Sequence, residues 1–207
     1  MNAIITTDGK LLTFGFGSNG QLGHLNSENK PFDMLYIPKK VDYFDNYFVE
    51  DISIGEYYCL AIARLTTTVQ NNEPEDNKEM SEDEKVDNDQ KSQAFSWGKN
   101  SVGQCGTSDL NLGMLPKPIE ALNDYNVLKV SAGSGHSLFL AEKNGETSLF
   151  ACGDAKYGAT GLTKTLAGSF KTPQKVTFID KFRRKEEPGL AEILDIKAGL
   201  NSSFALI

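Results

Sequence analysis

The sequence predicts an all-β chain of short antiparallel sheets that stack side by side, and three observations point to it. A glycine spacing, G-x₄-G-x₂-G, occurs three times. After each occurrence the same motifs follow in the same order. Nineteen glycines and twelve phenylalanines in a chain only 39% hydrophobic suit many short strands joined by tight turns. Glycine supplies the positive φ of such turns, and aromatic residues suit a pleated, half-buried surface.

The elements run as follows. Ala3–Thr6 with Asp8-Gly9-Lys10 reads as a strand closing into a hairpin turn, and its later counterpart is Leu138–Leu140 with Asn144-Gly145. The glycine frames are Gly15, Gly20 and Gly23; Gly98, Gly103 and Gly106; and Gly153, Gly158 and Gly161. Each follows a strand-like run ending in Phe14, Trp97 or Cys152. A proline with a β-branched residue three positions on comes next: Pro38 and Val41, Pro116 and Ile119, Pro173 and Val176. Prolines in such runs fit strand starts or sheet edges, where a missing N–H costs nothing.

Then come Ile52-Ser53-Ile54-Gly55, Val130-Ser131-Ala132-Gly133 and Ile196-Lys197-Ala198-Gly199. The apolar runs Tyr58–Ile62, His136–Leu140 and Ser202–Leu206 follow them. One such unit cannot bury both faces of its own small sheet, whereas stacked units can, as in propellers and solenoids. The divisions are residues 1–63 (a terminal strand of a preceding unit plus the first repeat), 64–93 (an insert), 94–140 (the second repeat) and 141–207 (the third).

The insert accounts for the uneven spacing, since 83 residues separate Gly15 from Gly98 and 55 separate Gly98 from Gly153. Between Glu73 and Lys91 nine acids face three lysines, so this segment carries −6 of the net charge of −7. With few apolar residues it cannot offset the entropy of ordering, and it is expected to be a disordered loop between two strands. The rest of the chain is close to neutral.

An aromatic-Gly step, Gly20-Gln21-Leu22-Gly23, and Ser131-Ala132-Gly133-Ser134-Gly135-His136-Ser137-Leu138 are together similar to the regulator of chromosome condensation repeat. The resemblance covers nearly the whole chain outside the insert. It implies a propeller of four-stranded antiparallel blades, normally seven to a ring, and here a partial propeller of about three. Three units are too few for that ring. The expectation is therefore a piece of a larger propeller, a surface completed by another chain or a second copy, or an open arc.

Candidate chemistry is sparse. Gly15-Phe16-Gly17-Ser18-Asn19-Gly20 satisfies the dinucleotide pattern G-x-G-x-x-G, but Gln21–Pro31 lacks the apolar period of the helix that pattern requires. A repeat turn is the better reading, and no cofactor is expected. His24 and His136 are the only histidines, and no pair of ligands has metal spacing. His136 falls where the resembled repeat carries histidine, and Tyr58 and Ser202 hold that place in the other units, so a hydrogen-bonding role within a blade is expected. Asp8, Asp109 and Asp154 lie in turn contexts.

Cys59, Cys105 and Cys152 read as buried reduced thiols, which points to a cytoplasmic or nuclear address. No basic leader and no membrane-length apolar run is present in the sequence. Lys181-Phe182-Arg183-Arg184-Lys185 is too short a basic run for a nucleic-acid face and abuts Glu186-Glu187. Ser81 in Ser-Glu-Asp-Glu is a candidate phosphorylation site.

With no catalytic constellation, the expected role is a non-enzymatic module that binds protein partners or scaffolds them. The alternative that the resemblance implies is nucleotide exchange on, or other regulation of, a Ran-type small GTPase. Neither nucleic acid nor membrane is expected as a partner.

Overall fold

The computed structural model describes residues 1–66, 91–111, 113–162, 168–177 and 193–207. Ser81, most of the acidic insert and the basic run at 181–185 lie outside them. The strands are β1 (Asn2–Ile5), β2 (Leu11–Phe16), β3 (Met34–Lys40), β4 (Tyr47–Ile54), β5 (Tyr58–Leu65), β6 (Gln93–Gly98) and β7 (Gly113–Pro118). They continue with β8 (Asn126–Ala132), β9 (His136–Lys143), β10 (Glu146–Asp154), β11 (Ser169–Lys175), β12 (Asp195–Ala198) and β13 (Ser203–Leu206). Three single 3₁₀ turns are the only helical elements among the described residues. Arg64, Leu65 and Gln93, at the rims of the expected insert, extend β5 and β6.

All pairing is antiparallel, in the orders β1-β2-β3, β4-β5-β6-β7, β8-β9-β10-β11 and β12-β13, called sheets 1 to 4 below. Four strands per sheet are met in full in sheets 2 and 3. The sequence repeat and the sheet are offset by two strands, because in the four-stranded sheets 2 and 3 the glycine frame begins at the end of the third strand, β6 or β10, and not the first. Pro38, Pro116 and Pro173 fall on β3, β7 and β11, the outer strands, each within the register shift that lies just before the frame glycine of the paired strand. β9 and β10 are joined by Asn144-Gly145, both at positive φ (55° and 78°), the twist a two-residue hairpin favours.

The core sits between sheets. Period-2 alternation sends Cys59, Ala61 and Ala63 of β5 toward sheet 1, and Tyr58, Leu60 and Ile62 toward sheet 3. β9 repeats this, with Phe139 and Ala141 toward sheet 2, and Leu138 and Leu140 toward sheet 4. A strand buried on both faces reads as an unbroken apolar run, and these two do. Each of the three seams has its own cluster. The first is aromatic, with Phe44, Phe95 and Trp97 fully buried and the Phe44 and Phe95 rings edge to face at 5.2 Å.

Candidate interaction surface

The glycine frames build one recurring device. All nine frame glycines have φ between 67° and 102°. In each frame the second glycine N–H bonds back to the carbonyl three residues earlier, and the third glycine N–H bonds to the carbonyl of the second. Gly103 shows what the frame is for. At φ 84° a Cβ there would stand 2.7 Å from the Lys171 Cα of β11, so the loop after β6 lies against sheet 3 at backbone distance. The Gly15–Gly20 segment is this turn as well. The chain runs from it through a loop into β3, and no helix follows the glycines.

Pressed against the next sheet, each loop offers a backbone carbonyl to it. The Gln21 carbonyl accepts from Trp97 Nε1 (2.7 Å) and from the Cys59 thiol (3.5 Å). The Gln104 carbonyl accepts from the Ser137 hydroxyl (2.5 Å) and the Cys152 thiol (3.7 Å), and the Ala159 carbonyl accepts from the Ser203 hydroxyl. The side chains of Gln21 and Gln104 turn back to close their own loops, accepting from Asn19 N–H and Val102 N–H.

The two histidines belong to this polar framework. The Thr13 hydroxyl gives its proton to the Leu22 carbonyl (2.6 Å), so the Thr13 oxygen accepts from His24 Nε2–H at 2.9 Å. The Ser203 hydroxyl is committed to Ala159, so it accepts from His136 Nε2–H at 3.0 Å, joining sheets 3 and 4. Burial lowers the pKa of both imidazoles. One seam earlier Tyr58 takes the place of His136. Its hydroxyl donates to the His136 carbonyl at 2.5 Å, and burial drives its pKa well above the usual phenol value. Ser53 and Ser131 add a third recurring link, accepting from Ala132 N–H (2.9 Å) and Ala198 N–H (2.8 Å) of the neighbouring sheet.

One position breaks the pattern. In sheet 2, Ser96 replaces Thr13 and Thr107 replaces His24. The buried Ser96 hydroxyl finds no nitrogen or oxygen partner among the described residues and has only the Cys105 thiol beside it, and a cavity of about 10 Å³ lined by Ser96, Asn100 and Thr107 adjoins it. Burial pushes the neighbouring Cys105 thiol up to about 12, with Ser96 opposing.

The remaining site candidates of the sequence lie at the surface. Asp8 closes the β1–β2 turn with Thr6, Asp109 accepts from Asn111 N–H, and Asp154 accepts from Lys156 N–H. They lie in three separate turns. No group of three or more metal-ligating side chains occurs among the described residues. No described helix is long and apolar enough to cross a membrane. The three cysteines are buried and free.

What the framework leaves open is one end of the sheets. Lys99 N–H bonds the Tyr57 carbonyl and Asp154 N–H the Gly135 carbonyl, so the frame loops and the β4–β5, β8–β9 and β12–β13 turns share that end. The turns rest on one another: a Cβ on Gly55 would stand 2.7 Å from the Gly133 carbonyl, and one on Gly133 2.6 Å from that of Gly199. A shallow depression of about 250 Å³ runs across them, bounded by Ile54, Glu56, Ser134 and Leu200. Glu56 accepts from the Ser134 hydroxyl at 2.6 Å, and Leu200 is 72% exposed. Ser53, Ser131, Gln21 and Gln104 were within the repeated motifs, but which of their atoms cross a seam shows only once the sheets are stacked.

The sequence pattern of the regulator of chromosome condensation (RCC1) repeat matches residues 8–62 and 91–140, half of the chain. The chain belongs to this repeat family. It is 27% identical over 204 residues to human probable E3 ubiquitin-protein ligase HERC6, covering 98% of this chain and 16% of that protein. To the ultraviolet-B receptor UVR8 of Arabidopsis thaliana it is 24% identical over 153 residues, covering 74% of this chain and 27% of the receptor. The chain thus spans less than a third of the length of these relatives. The crystal structure of human WBSCR16 superposes with a TM-score of 0.69 at 17% identity, covering 99% of this chain and 42% of that one. The RCC1-type sheets are therefore blades of a propeller-like fold.

Proposed function

We propose that the chain is a non-catalytic recognition module that binds a protein partner through the loop end of its blades. The observation that carries this is how the polar groups are used. His136, Tyr58, Gln21 and Gln104 are committed to holding blade against blade and His24 to its own frame loop, while Leu200, Glu56 and the frame loops are presented at one end of a rigid body. The relatives support the same reading. A probable ubiquitin ligase and a light receptor share this repeat stretch although their named activities differ, as a common recognition body would allow.

The test compares wild type with Glu56→Arg and Leu200→Arg, each immobilised and exposed to extract, with bound proteins identified by mass spectrometry. A partner held by wild type and lost from both variants, with an unchanged β-sheet spectrum, is the expected result. Retention by both variants refutes the assigned surface. Acceleration of GDP release from a Ran-type GTPase would replace this reading with the exchange reading.

A further inference from the structure

We infer that the partner anchors itself by one arginine side chain laid into the depression across the β4–β5, β8–β9 and β12–β13 turns, its guanidinium against Glu56 and the glycine carbonyls. The anchor rests on the loop-end reading above and gives that partner a chemistry.

The three turns repeat one arrangement. In each, the glycine N–H donates across its own hairpin: Gly55 to the Tyr58 carbonyl at 2.9 Å, Gly133 to that of His136 at 2.8 Å, and Gly199 to that of Ser202 at 2.8 Å. The carbonyls of the same glycines accept no hydrogen bond from any described residue, so they are free to accept from a ligand. Two of them stand where successive turns meet. The Gly133 carbonyl lies 2.7 Å from where a Cβ of Gly55 would be, and the Gly199 carbonyl 2.6 Å from that of Gly133. Glycine alone leaves those oxygens their room.

Glu56 adds the charge. It is the one ionisable side chain lining the depression among the described residues. The Ser134 hydroxyl donates to its Oε2 at 2.6 Å, which ties the carboxylate to the β8–β9 turn and leaves Oε1 without a partner among the described residues. None of the ion pairs among the described residues includes Glu56. A carboxylate beside free carbonyls selects a cation.

The walls decide which cation. Ile54 is 39% exposed, and Ala132 and Ala198 are half-buried in the same lining. A bare ion gains nothing from apolar walls, whereas the methylene stem of a basic side chain packs on them while its head stays polar. About 250 Å³ is room for one long side chain. A guanidinium presents several N–H donors in a planar fork, enough to serve the free carboxylate oxygen and a neighbouring carbonyl together, and an ammonium is a compact point charge. An aliphatic or aromatic side chain would cover Glu56 and bring it no donor, at a cost in desolvation. Arginine is also among the residues on which binding energy concentrates at protein interfaces.

The experiment titrates the nitrogen-15-labelled chain with two capped peptides, Gly-Gly-Arg-Gly-Gly and its citrulline counterpart, which keeps the shape of arginine without the charge. The arginine peptide is expected to move the amide signals of Gly55, Glu56, Gly133 and Ser134 saturably, and to bind about tenfold more tightly than the citrulline peptide, the worth of a charge-assisted hydrogen bond. Glu56→Gln keeps an oxygen for Ser134 and loses the charge. It should weaken the arginine peptide by a similar factor and leave the rest of the spectrum in place. Equal binding of the two peptides, shifts confined to other residues, no shift at millimolar peptide, or an affinity that Glu56→Gln does not change overturns the anchor. Partner capture separates its failure from that of the loop-end reading. Loss from Glu56→Gln as well as from Glu56→Arg and Leu200→Arg is expected. Retention by Glu56→Gln alone overturns the anchor and leaves the surface standing, and retention by all three refutes the surface itself.

Discussion

Tyr58→Phe removes one oxygen atom from the seam between sheets 2 and 3, and its cost can be worked from the contacts. The ring is fully buried and is retained, so no apolar packing is lost. The hydroxyl donates to the His136 carbonyl at 2.5 Å and lies 2.9 Å from the Ser137 oxygen. Neither neighbour is orphaned by the change. The His136 carbonyl still accepts from Gly133 N–H at 2.8 Å, and Ser137 still donates to the Gln104 carbonyl at 2.5 Å. The loss is thus one hydrogen bond without an added desolvation penalty, about 1 kcal/mol. With a urea slope of about 2 kcal/mol/M, the unfolding midpoint should fall by about 0.5 M with no change in slope. Trp97, the only tryptophan, is buried in the seam between sheets 1 and 2, so its emission reports a different seam from the one perturbed. If the sheets melt as one cooperative body, emission and far-UV circular dichroism shift together. A midpoint within about 0.2 M of wild type would refute the assignment of this hydroxyl as a seam bond. A shift in circular dichroism alone would refute the cooperative coupling of the seams.

Other outcomes follow from the same contacts. Thr13→Ala should cost about 1–3 kcal/mol by stranding the Leu22 carbonyl and His24, whereas Ser96→Ala, which removes a buried hydroxyl with only the weak Cys105 thiol beside it, should be neutral or stabilising in the same urea assay. Native protein should leave Cys59, Cys105 and Cys152 unlabelled by a thiol-specific disulfide reagent at pH 8, with all three reacting in denaturant, because burial keeps the thiolate inaccessible; stoichiometric native labelling would contradict it. Burial lowers the folded-state pKa of His24 and His136, so the unfolded chain binds more protons below the ordinary value of 6.5. Their contribution is full above pH 6.5 and is lost as pH falls toward their folded pKa values, so the urea midpoint should decline from pH 7 to pH 5, and less so in His136→Gln. Cys59→Ser should cost less than about 1 kcal/mol, since Ser137 and Ser203 already fill that register position with a hydroxyl donating to the matching carbonyl.

The sequence carried the strands, the turns and the faces, but little of the seam chemistry. Gly-x₄-Gly-x₂-Gly is legible because positive φ at a crowded turn restricts the residue type, and Asn144-Gly145 for the same reason. The apolar runs Tyr58–Ile62 and His136–Leu140 are legible as strands because both faces of each are buried. What could not be read was that strands one and two of a repeat pair with strands three and four of the repeat before it to make a sheet, as β6 and β7 do with β4 and β5. A repeat has no marked first residue, so periodicity fixes its length and leaves its starting point free. The roles of Gln21 and Gln104 were hidden for a different reason: their main-chain oxygens make the contact, and no side-chain pattern announces a carbonyl.

That choice of acceptor explains how the seams tolerate divergence. A main-chain oxygen is present whatever the residue, and the glycine frame fixes where it points. Its donor is then free to be an indole and a thiol against Gln21, a hydroxyl and a thiol against Gln104, or a hydroxyl against Ala159. The seam geometry requires the glycines and some donor, whatever the identity of that donor. Side chains that fill the apolar part of each seam vary as freely, from Trp97 in one to Cys152 in the next, provided the opposite face compensates in volume. A fold held this way can keep the blade geometry shared with WBSCR16 at 17% identity. The loop end, where Leu200 is exposed and Glu56 meets the next blade only through the Ser134 hydroxyl, is the part free to follow a partner.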